Sequence, residues 1–237
     1  MNLPYLGVAA WTTNRTPKTL FTSIFRSSSG PRGSELVALP ESRREVETIA
    51  SNLPKPSTIL LGASATETQF KQLPLSQYNV LHLALHAYAD LEYPDRSALV
   101  FAPMEHGPDD GLLQVREIRD LRLNADLVTL SACNTGVGPV GEAGIANIVN
   151  AFIEAGATTV MSTLWEVEDH ATSQLMTRFY AHLERHEEKA QALRQAQVEM
   201  LASGAPPSDW AGFEVVGDPS GSLFEHSDTT SPSRSSR

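Results

Sequence analysis

The sequence predicts an α/β fold in which a mostly parallel sheet is covered by helices on both faces. Two observations lead to this prediction. Short apolar runs, such as 79–86, 126–133 and 158–165, alternate along the chain with segments whose apolar residues recur at three- and four-residue spacing. Strands that alternate with helices in this way form parallel sheets, and the strands are apolar along most of their length, as expected when helices cover both faces.

Apolar runs bounded by turn residues mark the strands. The predicted strands are 5–11, 58–61, 79–86, 98–101, 126–133, 158–165 and 210–216. The run 126–133 ends at Asn134, Thr135 and Gly136, which is typical of a buried strand that stops in a loop.

Helical periodicity and end signals mark the helices. The predicted helices are 40–50, 66–74, 113–121, 145–155, 169–184 and 187–202. Pro40 followed by Glu41 is typical of a helix start, Thr66 and Gln69 have capping-box spacing, and Gly156 is a typical helix stop.

The expected division of the chain is into three parts. Residues 1–34 hold the first strand and a long mobile loop, 35–218 form the main domain, and 219–237, rich in Ser, Pro and Arg, form a disordered tail.

Composition narrows the class of protein. With 237 residues and 41% hydrophobic content, the chain can build one sizeable core. The net charge of -10 argues against direct contact with nucleic acid, which requires a concentrated basic surface. A single cysteine cannot form an internal disulfide, which indicates a cytoplasmic protein. No apolar run has the length of a membrane span, and no basic leader precedes an apolar region, so neither a membrane anchor nor a secretion signal is expected.

The candidate reactive groups are Cys133 and His86, each near the end of a predicted strand. In an open α/β sheet, parallel strands bring their carboxyl ends to the same edge, where active sites form. A catalytic cysteine attacks as a thiolate and needs a neighbouring histidine as its base. The histidine lies 47 residues before the cysteine, close to the interval of about 50 residues in caspases. The glycine-rich loop after Cys133 can turn amides toward a developing oxyanion.

The simpler interpretations of these residues stay open. A lone cysteine in an apolar strand is often only a small buried hydrophobe. His82 is expected to be a core histidine on the same strand face as His86, with a backbone or hydroxyl partner. His182 and His186, four apart on a helix, are expected on a solvated face, and none of the histidines is predicted to bind a metal.

The sequence resembles CHAT domains. These are caspase-like peptidases that are related to separase and often joined to tetratricopeptide repeats. The likeness lies in four ordered blocks, 80–86, 126–136, 155–165 and 210–217, with support from 41–50 and 61–66, and it extends over about 6–218. The family usually has more chain at its amino end, so this domain is expected to be truncated there.

The resemblance implies a caspase-haemoglobinase-like three-layer sandwich that needs no cofactor. It also implies a dyad in which Cys133 is the nucleophile and His86 the base, with the amides of Ala87 and Cys133 as the oxyanion hole. The family usually has glycine where this chain has Ala87. Asp169 matches an acidic position near the pocket for the residue before the cut, which implies a preference for basic residues, or it caps the helix that it begins.

The motifs and the resemblance together predict that the protein is a cysteine endopeptidase. It would cleave specific proteins in regulation, signalling or defence. A protein substrate and a tetratricopeptide-repeat or other regulatory protein are the expected partners. One alternative is a CHAT-fold interaction module without activity. This alternative is favoured by Ala87 and by the short amino end. Another is a Cys-His amidase or thioesterase that acts on small substrates.

Overall fold

The computed structural model describes residues 3–11, 38–90, 92–104, 106–131 and 142–223. Within these ranges the chain forms a six-stranded sheet and a three-stranded sheet. The strands are β1 (Tyr5–Ala9), β2 (Ser57–Leu61), β3 (Val80–Ala84), β4 (His86–Tyr88), β5 (Ala98–Val100), β6 (Leu112–Gln114), β7 (Leu127–Leu130), β8 (Thr159–Thr163) and β9 (Phe213–Gly217). The helices are α1 (Pro40–Asn52), α2 (Glu67–Gln72), α3 (Val115–Asp120), α4 (Glu142–Glu154), α5 (Asp169–Leu183) and α6 (Lys189–Ala202).

The large sheet has the order β2-β1-β3-β7-β8-β9, and its pairs are parallel except the last, β8 with β9. Its central strands are buried on both sides because helices cover both faces. One face packs against α1, α5 and α6, and the other packs against α2, α3, α4 and the small sheet β4-β5-β6. Across the described residues, no helix combines the length and the apolar character needed to cross a bilayer. The predicted α/β fold with a mostly parallel sheet and helices on both faces is therefore confirmed.

The prediction of one continuous strand over 79–86 is wrong. Strand β3 ends at Ala84, and after Leu85 the chain leaves the large sheet to form β4. There His86 pairs with Val100 in an antiparallel ladder, which draws the backbone out of the parallel sheet. Because the strand is interrupted at Leu85, side chains do not alternate regularly from His82 to His86, and the expectation that both lie on one face is wrong. His82 contacts α1 and α5, whereas His86 contacts Trp11, which belongs to the core on the other face.

Other boundaries differ at element ends. The segment predicted as a helix over 113–121 begins as strand β6 and becomes helical only at Val115. Strand β7 ends at Leu130, and the end of the predicted run at Cys133 lies outside the described residues. All of the predicted loop 12–34 and most of the tail 219–237 also lie outside them, so the three-part division of the chain stays a prediction.

The predicted helix signals act as expected. The hydroxyl of Thr66 accepts a hydrogen bond from the Gln69 amide at 3.2 Å and caps α2. Gly156, after α4, has a φ of 112°, and a Cβ there would lie 2.4 Å from the carbonyl oxygen of Leu123. Only glycine fits both the backbone angle and the close approach.

A chain of buried polar groups joins the large sheet to α1 and α5. On His82, Nε2 lies 2.6 Å from Oε1 of Glu45 in α1, and Nδ1 lies 3.1 Å from the hydroxyl of Tyr180 in α5. The same hydroxyl lies 3.0 Å from Oγ1 of Thr129 in β7. His82 is thus the core histidine that the sequence predicts. One of its partners is the expected hydroxyl, and the other is a buried carboxylate.

A cluster of charges centred on Lys71 ties α2 to the loop before β6 and to α3. The ammonium lies 3.0 Å from Oδ1 of Asp109 and 2.8 Å from Oε1 of Glu117, and it also pairs with the buried Glu67. The other Glu67 oxygen accepts the Gly111 amide at 2.9 Å. Burial raises the pKa of Glu67, and Lys71 opposes this rise.

The substitution Lys71→Met should destabilise the fold on the order of 3 kcal/mol, because it leaves the Glu67 carboxylate buried without a cation. Urea unfolding measures the loss. Arg43→Met is the matched control, because Arg43 pairs with Glu47 on the surface of α1 and such exposed pairs contribute about 0–1 kcal/mol. Equal effects of the two substitutions would contradict this account of Lys71.

Candidate active site

Three neighbouring strands of the large sheet end in register, and the predicted reactive residues follow these ends. Ala9 of β1 pairs with Ala84 of β3, and Trp11 and His86 each lie two residues beyond that pair. Leu83 of β3 pairs with Leu130 of β7, and His86 and Cys133 each lie three residues beyond that pair. Cys133 itself lies outside the described residues.

His86 begins β4 and is fully buried, at 0% exposure. Its imidazole packs against the indole of Trp11, with ring centroids 5.7 Å apart and planes tilted by 55°. Strand β4 lies at one edge of the small sheet, so His86 is held by a different sheet from the one that contains β7. The next residue, Ala87, is 3% exposed and pairs with Leu99 of β5.

Asp169 follows β8 and lies at the start of α5, at the same edge of the large sheet. Its Oδ2 accepts a hydrogen bond from the Glu41 amide at 2.8 Å, so it caps the amino end of α1. The prediction that Asp169 caps its own helix is wrong. Glu168 does so, by accepting the Ala171 amide at 3.0 Å, because the residue before the first helical position is the one whose side chain reaches back to free amides.

The environment of Asp169 is electronegative. Burial raises its pKa to about 6, the Glu41 amide opposes this rise, and the charges of Glu45, Glu41 and Glu168 add to it. Among the described residues, no cationic side chain forms a salt bridge with Asp169. This part of the edge can therefore attract a positive charge.

Sequence reasoning missed three residues near this edge. Trp11 was identified only as the end of a predicted strand, although a large aromatic residue at the carboxyl end of a strand is a signal that it contributes to the site at that edge. Leu164 and Trp165, just after β8, are 37% and 39% exposed, which is unusual for such side chains. The indole of Trp165 donates to the Ser208 carbonyl at 2.8 Å, so it is held in place at the surface.

Two clusters outside this edge could be mistaken for metal sites. Oxygens of Glu67, Asp109 and Glu117 lie within 4.8 Å of one another, but the Lys71 ammonium contacts all three carboxylates. The expectation that His182 lies on a solvated face is wrong. It is 6% exposed, and its nitrogens lie 2.8 Å from Glu187 and 2.9 Å from Glu199 in a pairing between α5 and α6.

Comparison with solved structures defines the class of fold. The Arg specific cysteine proteinase gingipain R aligns with a TM-score of 0.55 and 7% identity, covering 92% of this chain and 46% of that chain. The Saccharomyces cerevisiae separase in its complex with securin aligns at 0.48 and 10% identity, covering 92% and 12%. The gingipain alignment shows that the chain shares the fold of that proteinase.

Sequence comparison then gives the family. The model of the CHAT domain matches residues 8–218, so this chain belongs to the CHAT domain family. Tetratricopeptide repeat protein 28 of Mus musculus is 34% identical over 108 residues, and the human protein of that name is 32% identical over 108 residues. These matches cover 45% of this chain and 4% of either relative.

The raised pKa of Asp169 predicts a pH-dependent stability. The group titrates near pH 6 in the folded chain and near about 3.9 when unfolded, so between these values the folded state binds more protons and stability falls as pH rises. Asp169→Asn keeps an oxygen for the Glu41 amide and removes the charge. It should stabilise the fold by about 1–2 kcal/mol at pH 7, after allowance for partial exposure, and by nothing at pH 4.

Urea unfolding of wild type and Asp169→Asn from pH 4 to pH 8 measures this difference. Asp169→Ala is the control, because it also removes the cap and should cost about 1 kcal/mol relative to Asn at every pH. A constant difference between wild type and Asn across the pH range would show that the carboxylate does not titrate as stated.

Proposed function

We propose that this CHAT domain is a cysteine endopeptidase in which Cys133 and His86 form a catalytic dyad. The observation that carries the proposal is the register of β3 and β7. In the sequence, both residues follow the pair Leu83–Leu130 by three positions, and neighbouring strands are about 4.8 Å apart. This register supports the proposal that the thiol and the imidazole meet at the carboxyl ends of these strands.

The proposed reaction uses only groups of the chain and water. The thiol of Cys133 gives its proton to His86, and the thiolate attacks the peptide carbonyl carbon. The amides of Ala87 and Cys133 donate hydrogen bonds to the oxyanion that forms. His86 then gives the proton to the leaving amine, and water hydrolyses the thioester with His86 as the base.

Asp169 is proposed to receive the basic side chain that precedes the cut. Its carboxylate lies at the edge where the dyad is proposed, in a negative environment made by Glu41, Glu45 and Glu168. A lysine or arginine side chain would bring the missing positive charge, and its binding would favour the ionised form of Asp169. The half-exposed Trp165 and Leu164 offer apolar surface for neighbouring parts of the same peptide.

A regulatory protein is part of the proposal. The similarity to tetratricopeptide repeat protein 28 supports helical repeats, in the same or a separate chain, as the partner. The net charge and the single cysteine support work in the cytoplasm and no direct contact with nucleic acid.

A second function, binding without catalysis, is favoured by the burial of His86. At 0% exposure, the imidazole must be uncovered before it can reach a substrate. An interaction module needs no such change.

Alkylation by iodoacetamide tests the dyad, because the chain has one cysteine and the product is a single mass shift. In wild type the rate against pH should show a thiolate well below the reference pKa of about 8.5, because the imidazolium stabilises it. His86→Ala should return the midpoint to about 8.5.

The control for this measurement is His106→Ala, since His106 is an exposed histidine at a distance in sequence from the strand ends. It should leave the profile unchanged. An ordinary thiol profile in folded wild type and in His86→Ala alike would reject the dyad and favour the interaction module.

Peptide selection tests Asp169. Asp169→Asn should lower kcat/KM for peptides with lysine or arginine before the cut by about tenfold or more, since a charge pair in a half-buried pocket is lost, and should spare peptides with norleucine there. The isosteric change keeps the cap on α1, so a loss for all peptides alike would show that Asp169 acts on structure and not on selection.

A further inference from the structure

We infer that Trp11 is a positioning residue that holds the imidazole of His86 in the orientation needed to take the proton of Cys133. The inference rests on the proposed dyad for its consequence, but its geometry lies wholly within described residues. Trp11 contacts neither substrate nor reacting atoms in this scheme and acts only through His86.

The register of the sheet places Trp11 beside His86. Ala9 pairs with Ala84, and Trp11 and His86 each follow that pair by two residues in the chain. Strand β7, which precedes Cys133 in the sequence, pairs with β3 on the side opposite β1. The order of strands thus places the end of β1, and with it Trp11, on the side of β3 away from β7.

Trp11 is itself fixed at several points. Its Nε1 donates to the carbonyl oxygen of Val100 at 2.7 Å, and Val100 is the residue that pairs with His86 in the small sheet. Its own carbonyl oxygen accepts the Leu39 amide at 2.6 Å, just before α1. At 3% exposure the indole is buried. It therefore joins the end of β1, the start of α1 and β5 around the histidine.

This arrangement matters because β4 is a short edge strand of the small sheet. An imidazole ring needs a packed wall to keep its rotamer, and a misplacement of about 1 Å in a catalytic group can cost about a hundredfold in rate. A tryptophan that only filled the core would change the stability of the fold without changing the reactivity of Cys133, so the two roles can be separated by experiment.

The experiment compares Trp11→Phe and Trp11→Leu in the full chain with Trp210→Phe as the matched control. Trp210 also donates its indole N–H to a carbonyl, that of Ala205 at 3.1 Å, but it lies at the other end of the sheet order, before β9. The first measurement is the pH profile of Cys133 alkylation by iodoacetamide. The second is hydrogen–deuterium exchange at the Cε1–H of His86, followed by NMR.

Trp11→Leu should slow alkylation at pH 6 by about tenfold and move the thiolate midpoint toward that of His86→Ala, because the imidazolium is no longer held against the thiolate. Exchange at His86 should become several-fold faster, since the ring loses its cover. Trp11→Phe keeps a ring but loses the bond to Val100, so it should give intermediate values. Trp210→Phe should match wild type in both.

Wild-type alkylation profiles in folded Trp11→Phe and Trp11→Leu would overturn the inference, and Trp11→Phe alone decides if the leucine variant does not fold. If alkylation does not depend on His86 at all, the proposed dyad has failed instead. Hydrogen–deuterium exchange then tests the contact by itself. Faster exchange at His86 in the Trp11 variants supports the role of Trp11 in holding the imidazole, and unchanged exchange overturns the inference.

Discussion

The in-register parallel pairing of β3 with β1 and β7 is the constraint on which the rest of the structure depends. It brings the carboxyl ends of β1, β3 and β7 to one edge, and Trp11 and His86 follow two of these ends in the chain. A strand rises about 3.3 Å per residue, and a slip of one residue also turns every side chain to the other face. Such a slip would turn His82 and Thr129 away from their partners in α1 and α5, so these buried contacts protect the register and with it the geometry of the edge.

A buried hydrogen-bond network also holds that register. It runs from Glu45 through His82 and Tyr180 to Thr129. Apolar packing tolerates small shifts, whereas a histidine with a partner on each nitrogen does not, and a buried polar group that loses its partner costs about 1–3 kcal/mol. Glu45 also links this network to the edge of the sheet, because its charge raises the pKa of Asp169. Asp169 in turn caps α1 at Glu41, four residues before Glu45. Helix α1 is thus tied to the sheet through His82 and to α5 through Asp169.

The sequence was sufficient for the alternation of strands and helices, the parallel sheet, the cap at Thr66 and the stop at Gly156, because these follow from local periodicity and backbone chemistry. It was insufficient where distant pairing decides. The run 79–86 contains no glycine or proline, and nothing within it marks the departure at Leu85, which is caused by the ladder with β5. Likewise, the caps made by Asp169 on Glu41 and the packing of Trp11 on His86 join residues that no local pattern connects.

The order of strands also governs how the chain can be built. Strand β1 precedes both of its partners, β2 and β3, so it stays unpaired in the sheet until synthesis has passed Ala84. The sheet then extends in one direction, through β7 and β8, and closes with β9. The apolar β1 therefore has an open hydrogen-bonding edge on each side until β2 and β3 are made, whereas β9 is added to a sheet whose other described strands are already present.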